Sequence, residues 1–143
     1  MNALYNRSLY NTKYFKVKEI LYSKTAEQNN IDNIPTDEDI INNLQFTLNY
    51  LDEIREGYGK PIYINSGYRC PELNKLVGGV KNSYHQSGLG VDLRWDKELF
   101  EYIMDNCIFD KLIREKSGKT FWIHLQLKRN PDDCRGQVLT ITA

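Results

Sequence analysis

Histidine is almost absent from this chain: 143 residues contain two, His85 and His124. Cysteine is scarce too, and the three present, Cys70, Cys107 and Cys134, are odd in number and lack any Cys-x-x-Cys spacing. That pattern argues against a disulfide framework or a zinc knuckle and predicts free thiols. Neither charge sign is in excess, since 19 Lys plus Arg balance 19 Asp plus Glu. Without a clustered basic surface, an electrostatic grip on nucleic acid is not expected. No apolar run approaches membrane-spanning length, so no membrane segment is predicted. Met1 to Arg7 lacks an apolar core, so no secretion signal is predicted either. Synthesis in the cytoplasm follows, with delivery by another factor if the protein acts elsewhere. Repeats, low-complexity tracts and long linkers are missing as well, which leaves one domain around a single core.

What is present has globular proportions, 41% apolar and 27% charged residues, with ten tyrosines. Most of those rings suit half-buried positions with one wet edge. Residues 1–13 read as an N-terminal extension packed on a domain spanning 14–143. A short helix is predicted over Val17 to Tyr22, then a second turn through Glu27 capped by Ser23. The clearest element follows Pro35. Thr36 is the expected N-cap, Asp37, Glu38 and Asp39 favour the positive end of the helix dipole, and Gly57 supplies a stop. Between them Ile40, Ile41, Leu44, Leu48, Leu51 and Ile54 recur at helical spacing and define one buried face. Strands are expected at Pro61–Asn65, Gly90–Leu93, Lys111–Glu115, Phe121–Leu127 and Gln137–Thr142, with a hairpin across Lys116–Lys119. Pro71 opens a short helix through Leu76, and Asp96 caps another carrying Leu99, Phe100 and Ile103. The fold class is α+β: N-terminal helices packed on a small, mostly antiparallel sheet.

The two histidines carry the chemistry. His85 opens His85-Gln-Ser-Gly-Leu-Gly-Val-Asp92, in which a predicted loop folds back into a strand, and glycines at 88 and 90 permit the tight return. Asp92 lies between Val91 and Leu93, and a carboxylate in an apolar strand needs a positive partner or must neutralise. His124 stands in the apolar run from Phe121 to Leu125. Two imidazoles and one carboxylate are the ligand set of a catalytic zinc ion that keeps a position open for water. The competing explanation is a hydrogen-bonded core histidine, with Asp92 paired to Arg69 or Arg94. With both histidines so placed, no third remains to activate a thiolate, which argues against a cysteine protease.

These residues fall into a longer series. Ser66-Gly67-Tyr68-Arg69, Leu73-Asn74, Val77-Gly78-Gly79, Ser83-Tyr84-His85, Gly88 to Asp92 and Trp122-Ile123-His124 resemble, in order, the motifs of the M15 metallopeptidases. These comprise D-alanyl-D-alanine carboxypeptidases and phage L-alanyl-D-glutamate endolysins. The similarity is to the short single-domain branch, and Tyr14-Phe15, Ser23 to Ala26 and Ile31 to Pro35 extend it over roughly residues 14–142. The resemblance implies a hedgehog/DD-peptidase-like fold and a zinc ion held by His85, Asp92 and His124. It also implies Arg69 as the group that holds a substrate carbonyl or carboxylate, with Ser83 in the same pocket wall. The implied partner is a peptidoglycan stem peptide, and a short chain of this kind fits a phage or prophage gene acting at the bacterial cell wall.

One position departs from the pattern. The family usually carries an acidic acid/base three residues before the last zinc histidine, and here that residue is Phe121, which can neither accept nor donate a proton. Two readings follow. Either another carboxylate substitutes, with Glu115 the candidate because its strand should pair with that of His124, or the domain has kept its metal and lost hydrolysis. In the second case it is a binding or structural module, as the related hedgehog signalling domain retains zinc without cleaving peptides.

Overall fold

The computed structural model describes residues 9–142. Of the expected N-terminal extension, residues 1–8 lie outside the described residues. Leu9 is buried in the main hydrophobic cluster. Asp52 accepts from the Thr12 hydroxyl (2.7 Å) and from the Lys13 and Tyr14 amides (3.0 Å each).

Two short helices, α1 (Val17–Leu21) and α2 (Lys24–Gln28), precede the long helix α3 (Glu38–Tyr58). Ser23 caps α2 as expected, its side chain accepting from the Ala26 amide. The N-cap of α3 is Asp37, not Thr36; its carboxylate accepts from the amides of Asp39 (2.8 Å) and Ile40 (3.2 Å). An ionised acceptor at the dipole's positive end outcompetes a neutral hydroxyl one residue earlier. The helix also runs past Gly57 to Gly59, where φ is 81° and the left-handed cap forms. Ile41, Leu44, Leu48, Leu51 and Ile54 form its buried stripe.

Then come β1 (Ile64–Ser66), α4 (Pro71–Leu76), α5 (Tyr84–Ser87), β2 (Gly90–Arg94), α6 (Lys97–Asn106), β3 (Lys111–Ser117), β4 (Thr120–Gln126) and β5 (Gln137–Thr142). Strand β1 is shorter than the expected Pro61–Asn65. The hairpin turn narrows to Gly118-Lys119 because β3 and β4 stay paired out to Ser117 and Thr120. Asp96 caps α6 through the Glu98 and Leu99 amides, as predicted.

The five strands lie in the order β1-β2-β4-β3-β5. Pairing is antiparallel except that β5 runs parallel to β3, so the sheet is mixed. Side chains alternate across each strand, and cross-strand partners share a face. Val91, Leu93, Leu112, Ile123 and Leu125 occupy one face and join the stripe of α3 and Leu99 and Ile103 of α6 in one core. The opposite face carries Asp92, His124, Ile113, Glu115 and Trp122, by the register that sets Asp92 against His124, His124 against Ile113, and Trp122 against Glu115. The sheet therefore presents an apolar side to the helices and a side with ionisable groups opposite.

Candidate metal centre

Each member of the predicted trio comes from a different element. Asp92 and His124 are direct cross-strand neighbours on β2 and β4, so strand pairing alone brings their side chains together. His85 is not in a loop, as expected, but in the single-turn helix α5. Ser83 makes that turn possible, its Oγ accepting from the His85 amide at 3.1 Å. Gly88 ends it with φ 85°, a conformation in which a side chain would also press on Leu44 of α3.

The distances suit one small ion. Asp92 Oδ1 lies 3.3 Å from His85 Nε2 and 3.0 Å from His124 Nδ1. Ligand atoms of all three residues lie within 4.8 Å of one another. Tetrahedral zinc with bonds of about 2.0–2.1 Å would separate its ligand atoms by roughly 3.3 Å. His85 is also prepared in its tautomer. Its Nδ1 is 2.8 Å from the Gly67 carbonyl, which can only accept, so Nδ1 carries the proton and Nε2 presents a lone pair. The donor set and its spacing therefore fit zinc.

Electrostatics describe the same site as a socket for positive charge. Burial by itself would raise the Asp92 carboxyl, but hydrogen bonds and charge from His124 and His85 hold it well below the usual carboxylate range. Burial would lower His124, yet Asp92, with help from Glu115 and the Gln126 side chain, leaves its imidazole above the ordinary value.

Arg69 reaches the centre through the turn after β1. Ser66 stands opposite Asp92, with a register shift between Ile64 and Ser66 that turns the chain. Gly67 then passes against α1 so closely that a Cβ would lie 2.3 Å from the Ile20 carbonyl oxygen. Asn33, which entered the sequence reading only within the Ile31 to Pro35 stretch, fixes the rest. Its amide donates to the carbonyls of Leu21 (2.9 Å) and Tyr68 (2.8 Å), and its oxygen accepts from the Cys70 amide (2.8 Å). Asn33→Ala removes the partner of two bonds to backbone carbonyls in the interior and one from a partly buried amide, and is expected to cost about 2–4 kcal/mol, readable in chemical denaturation.

Arg69 and Asp92 line one cleft of about 310 Å³, whose outer wall is Tyr22 to Thr25. Burial lowers the guanidinium's pKa, while Asp92 and Glu115 oppose that shift. Its Nε finds no acceptor among the described residues. Ser83 serves the site as the cap beneath His85 and is not part of this cleft's lining. A larger cavity of about 480 Å³, between α3, α6 and Leu127 to Cys134, contains none of the predicted site residues.

The match to known families now decides the lineage. The family model described as Peptidase M15 matches residues 13–126. The chain belongs to the M15 peptidases. No curated protein matches it. M15 peptidases are zinc-dependent, and in this member the trio on β2, β4 and α5 is the group of described residues able to hold the metal. No helix among the described residues is long and apolar enough to cross a membrane.

Strand parity also clarifies the departure at position 121. Phe121 is an odd number of residues from His124 on an unbroken strand, so it points to the opposite face of the sheet. There it packs against Trp95, with ring centroids 6.0 Å apart, and lies under the Arg114 guanidinium at 4.4 Å. Glu115 is on the metal face, half-buried, cross-strand from Trp122 and close enough to affect both Arg69 and His124 electrostatically.

Buried Asp110 was invisible to motif reading. It has no exposed side-chain surface, and the Arg135 guanidinium grips it at 2.9 Å and 2.8 Å. Gln126 donates to it at 2.6 Å and the Arg135 amide at 3.1 Å. These bonds hold their carboxylate well below its usual pKa. They anchor the segment that leads into β5 and brace Gln126, which shares the metal face with His124.

Proposed function

We propose that this M15 member is a zinc-dependent peptidase that hydrolyses peptide bonds in peptidoglycan stem peptides. The observation that carries the reading is the close-set trio of His85, Asp92 and His124, with the His85 tautomer fixed by the Gly67 carbonyl. Zinc held by these three side chains would supply a Lewis acid for the scissile carbonyl and bring the pKa of a water to about 7.

The protein's own groups do the rest. Arg69, half-buried and lining the cleft, binds a substrate carboxylate or carbonyl and sets which peptide bond is presented. Lys24 on the outer wall adds a second cation to the same cleft. Glu115 takes the proton from the attacking water and returns it to the departing amine. Ser83 acts from behind by holding α5, and with it His85, in place.

The test is direct: purified protein loaded with zinc should release fragments from peptidoglycan or from synthetic stem peptides. Arg69→Gln is expected to lower kcat/KM about ten- to a hundredfold, largely through KM, because one charge-assisted contact is lost. Stoichiometric zinc without any cleavage would contradict the peptidase reading. That result would assign the chain to the alternative, a zinc-stabilised binding or structural module.

A further inference from the structure

A buried donor and a half-buried acceptor are cross-strand neighbours on the metal side of the sheet. The Trp122 indole Nε1 is buried and has no hydrogen-bond partner among the described residues. Indole N–H can only donate, and a buried donor without an acceptor is costly. Directly across the strand pair is Glu115. Its half-buried carboxylate can only accept when ionised, and it accepts no hydrogen bond among the described residues. Cross-strand partners on one face have Cβ atoms roughly 5 Å apart, within reach of a Trp and a Glu side chain by rotation of χ angles alone.

We propose that Trp122 is a positioning residue whose indole N–H hydrogen-bonds the Glu115 carboxylate in the working state. That bond would aim one carboxylate oxygen past His124 into the site while leaving the other free to exchange a proton. The geometry gives β4 two tasks: His124 as a metal ligand, and Trp122, two residues earlier on the same face, as the support for the acid/base. Other neighbours offer Trp122 less. Its partner on β2 is Arg94, a pure donor, and Thr120 on the same strand face lies at the exposed end of the hairpin. This inference rests on Glu115 acting as the acid/base, so its test reads the contact separately from the reaction.

The sequence contains two tryptophans, Trp95 and Trp122, so a ¹H–¹⁵N spectrum shows two indole signals, assignable through Trp95→Phe. In the zinc-loaded protein, Glu115→Gln should move the Trp122 indole signal and leave that of Trp95, on the opposite face, in place. In the zinc-loaded enzyme, Trp122→Phe should lower kcat about ten- to a hundredfold with KM nearly unchanged, the worth of one hydrogen bond to a charged group. Added to Glu115→Gln, the same change should cost little more, since the two residues act as one unit. An indole signal indifferent to Glu115→Gln would overturn the contact, whatever the activity. If the signal moves but Glu115→Gln retains full turnover, the positioning role is overturned through its parent: the acid/base assignment has failed while the contact stands. Fully additive losses would likewise overturn the positioning role.

Discussion

Glu115→Gln is expected to reduce peptide cleavage about 10²–10⁴-fold, the usual loss when a positioned general base is removed, while zinc content stays unchanged. The amide keeps the shape and the hydrogen-bond acceptor but cannot take a proton. The sharper form of this prediction concerns Phe121. Motif comparison alone suggests restoring an acid there, yet strand parity turns residue 121 toward Trp95 and Arg114, away from His124. Phe121→Glu in the Glu115→Gln background should therefore recover no activity. It should also remove a ring that Arg114 and Lys116 both overlie and so lower stability. Recovery of cleavage would show that β4 does not run with the register described above.

Asp110→Ala should have a large effect on stability. It deletes a fully buried carboxylate and orphans the Gln126 amide and the Arg135 backbone N–H. The Arg135 side chain is 45% exposed and can turn to water, so the expected cost is below that of a wholly buried pair, about 2–4 kcal/mol. Against a typical total of about 5–15 kcal/mol this is a substantial fraction. Thermal or urea unfolding measures it. The pH dependence has a definite sign. The Asp110 carboxyl is depressed in the folded state, so it binds its proton more readily once unfolded. Its contribution is fully present above the unfolded value of about 3.9 and is lost as pH falls below that point. The stability gap between wild type and Asp110→Ala should therefore be constant near neutrality and narrow below about pH 4.

Much of this was legible in the chain because it rests on local periodicity. The stripe from Ile41 to Ile54 announces α3, Asp96 and Ser23 announce their caps, and Pro71 announces α4. The clustering of His85, Asp92 and His124 was legible too, since with only two histidines in the sequence few other such groupings are available. What was missed depends on competition or on distance. Asp37 and Thr36 both qualify as caps, and Gly57 and Gly59 both qualify as stops; tertiary packing chooses between neighbours that local rules rank alike. The single turn of α5 is too short for a period to appear, and it forms because Ser83 and Gly88 close its two ends. The parallel pairing of β5 with β3 has no signature in either strand alone. Asn33 and Asp110 bond to groups far along the chain, so their roles could not be read from local sequence. The parity that separates Glu115 from Phe121 could have been counted from sequence once β3 and β4 were taken as a hairpin.

Zinc uptake by the metal-free protein tests the central claim most directly. Equilibrium titration, with metal content checked by elemental analysis, should give about one zinc per wild-type chain. His85→Ala, Asp92→Ala and His124→Ala, each verified as folded, should each bind far more weakly, because three ligands leave no redundancy in a site that keeps one position open. Failure of the folded wild-type protein to take up zinc, or uptake that all three variants leave undiminished, would contradict the account.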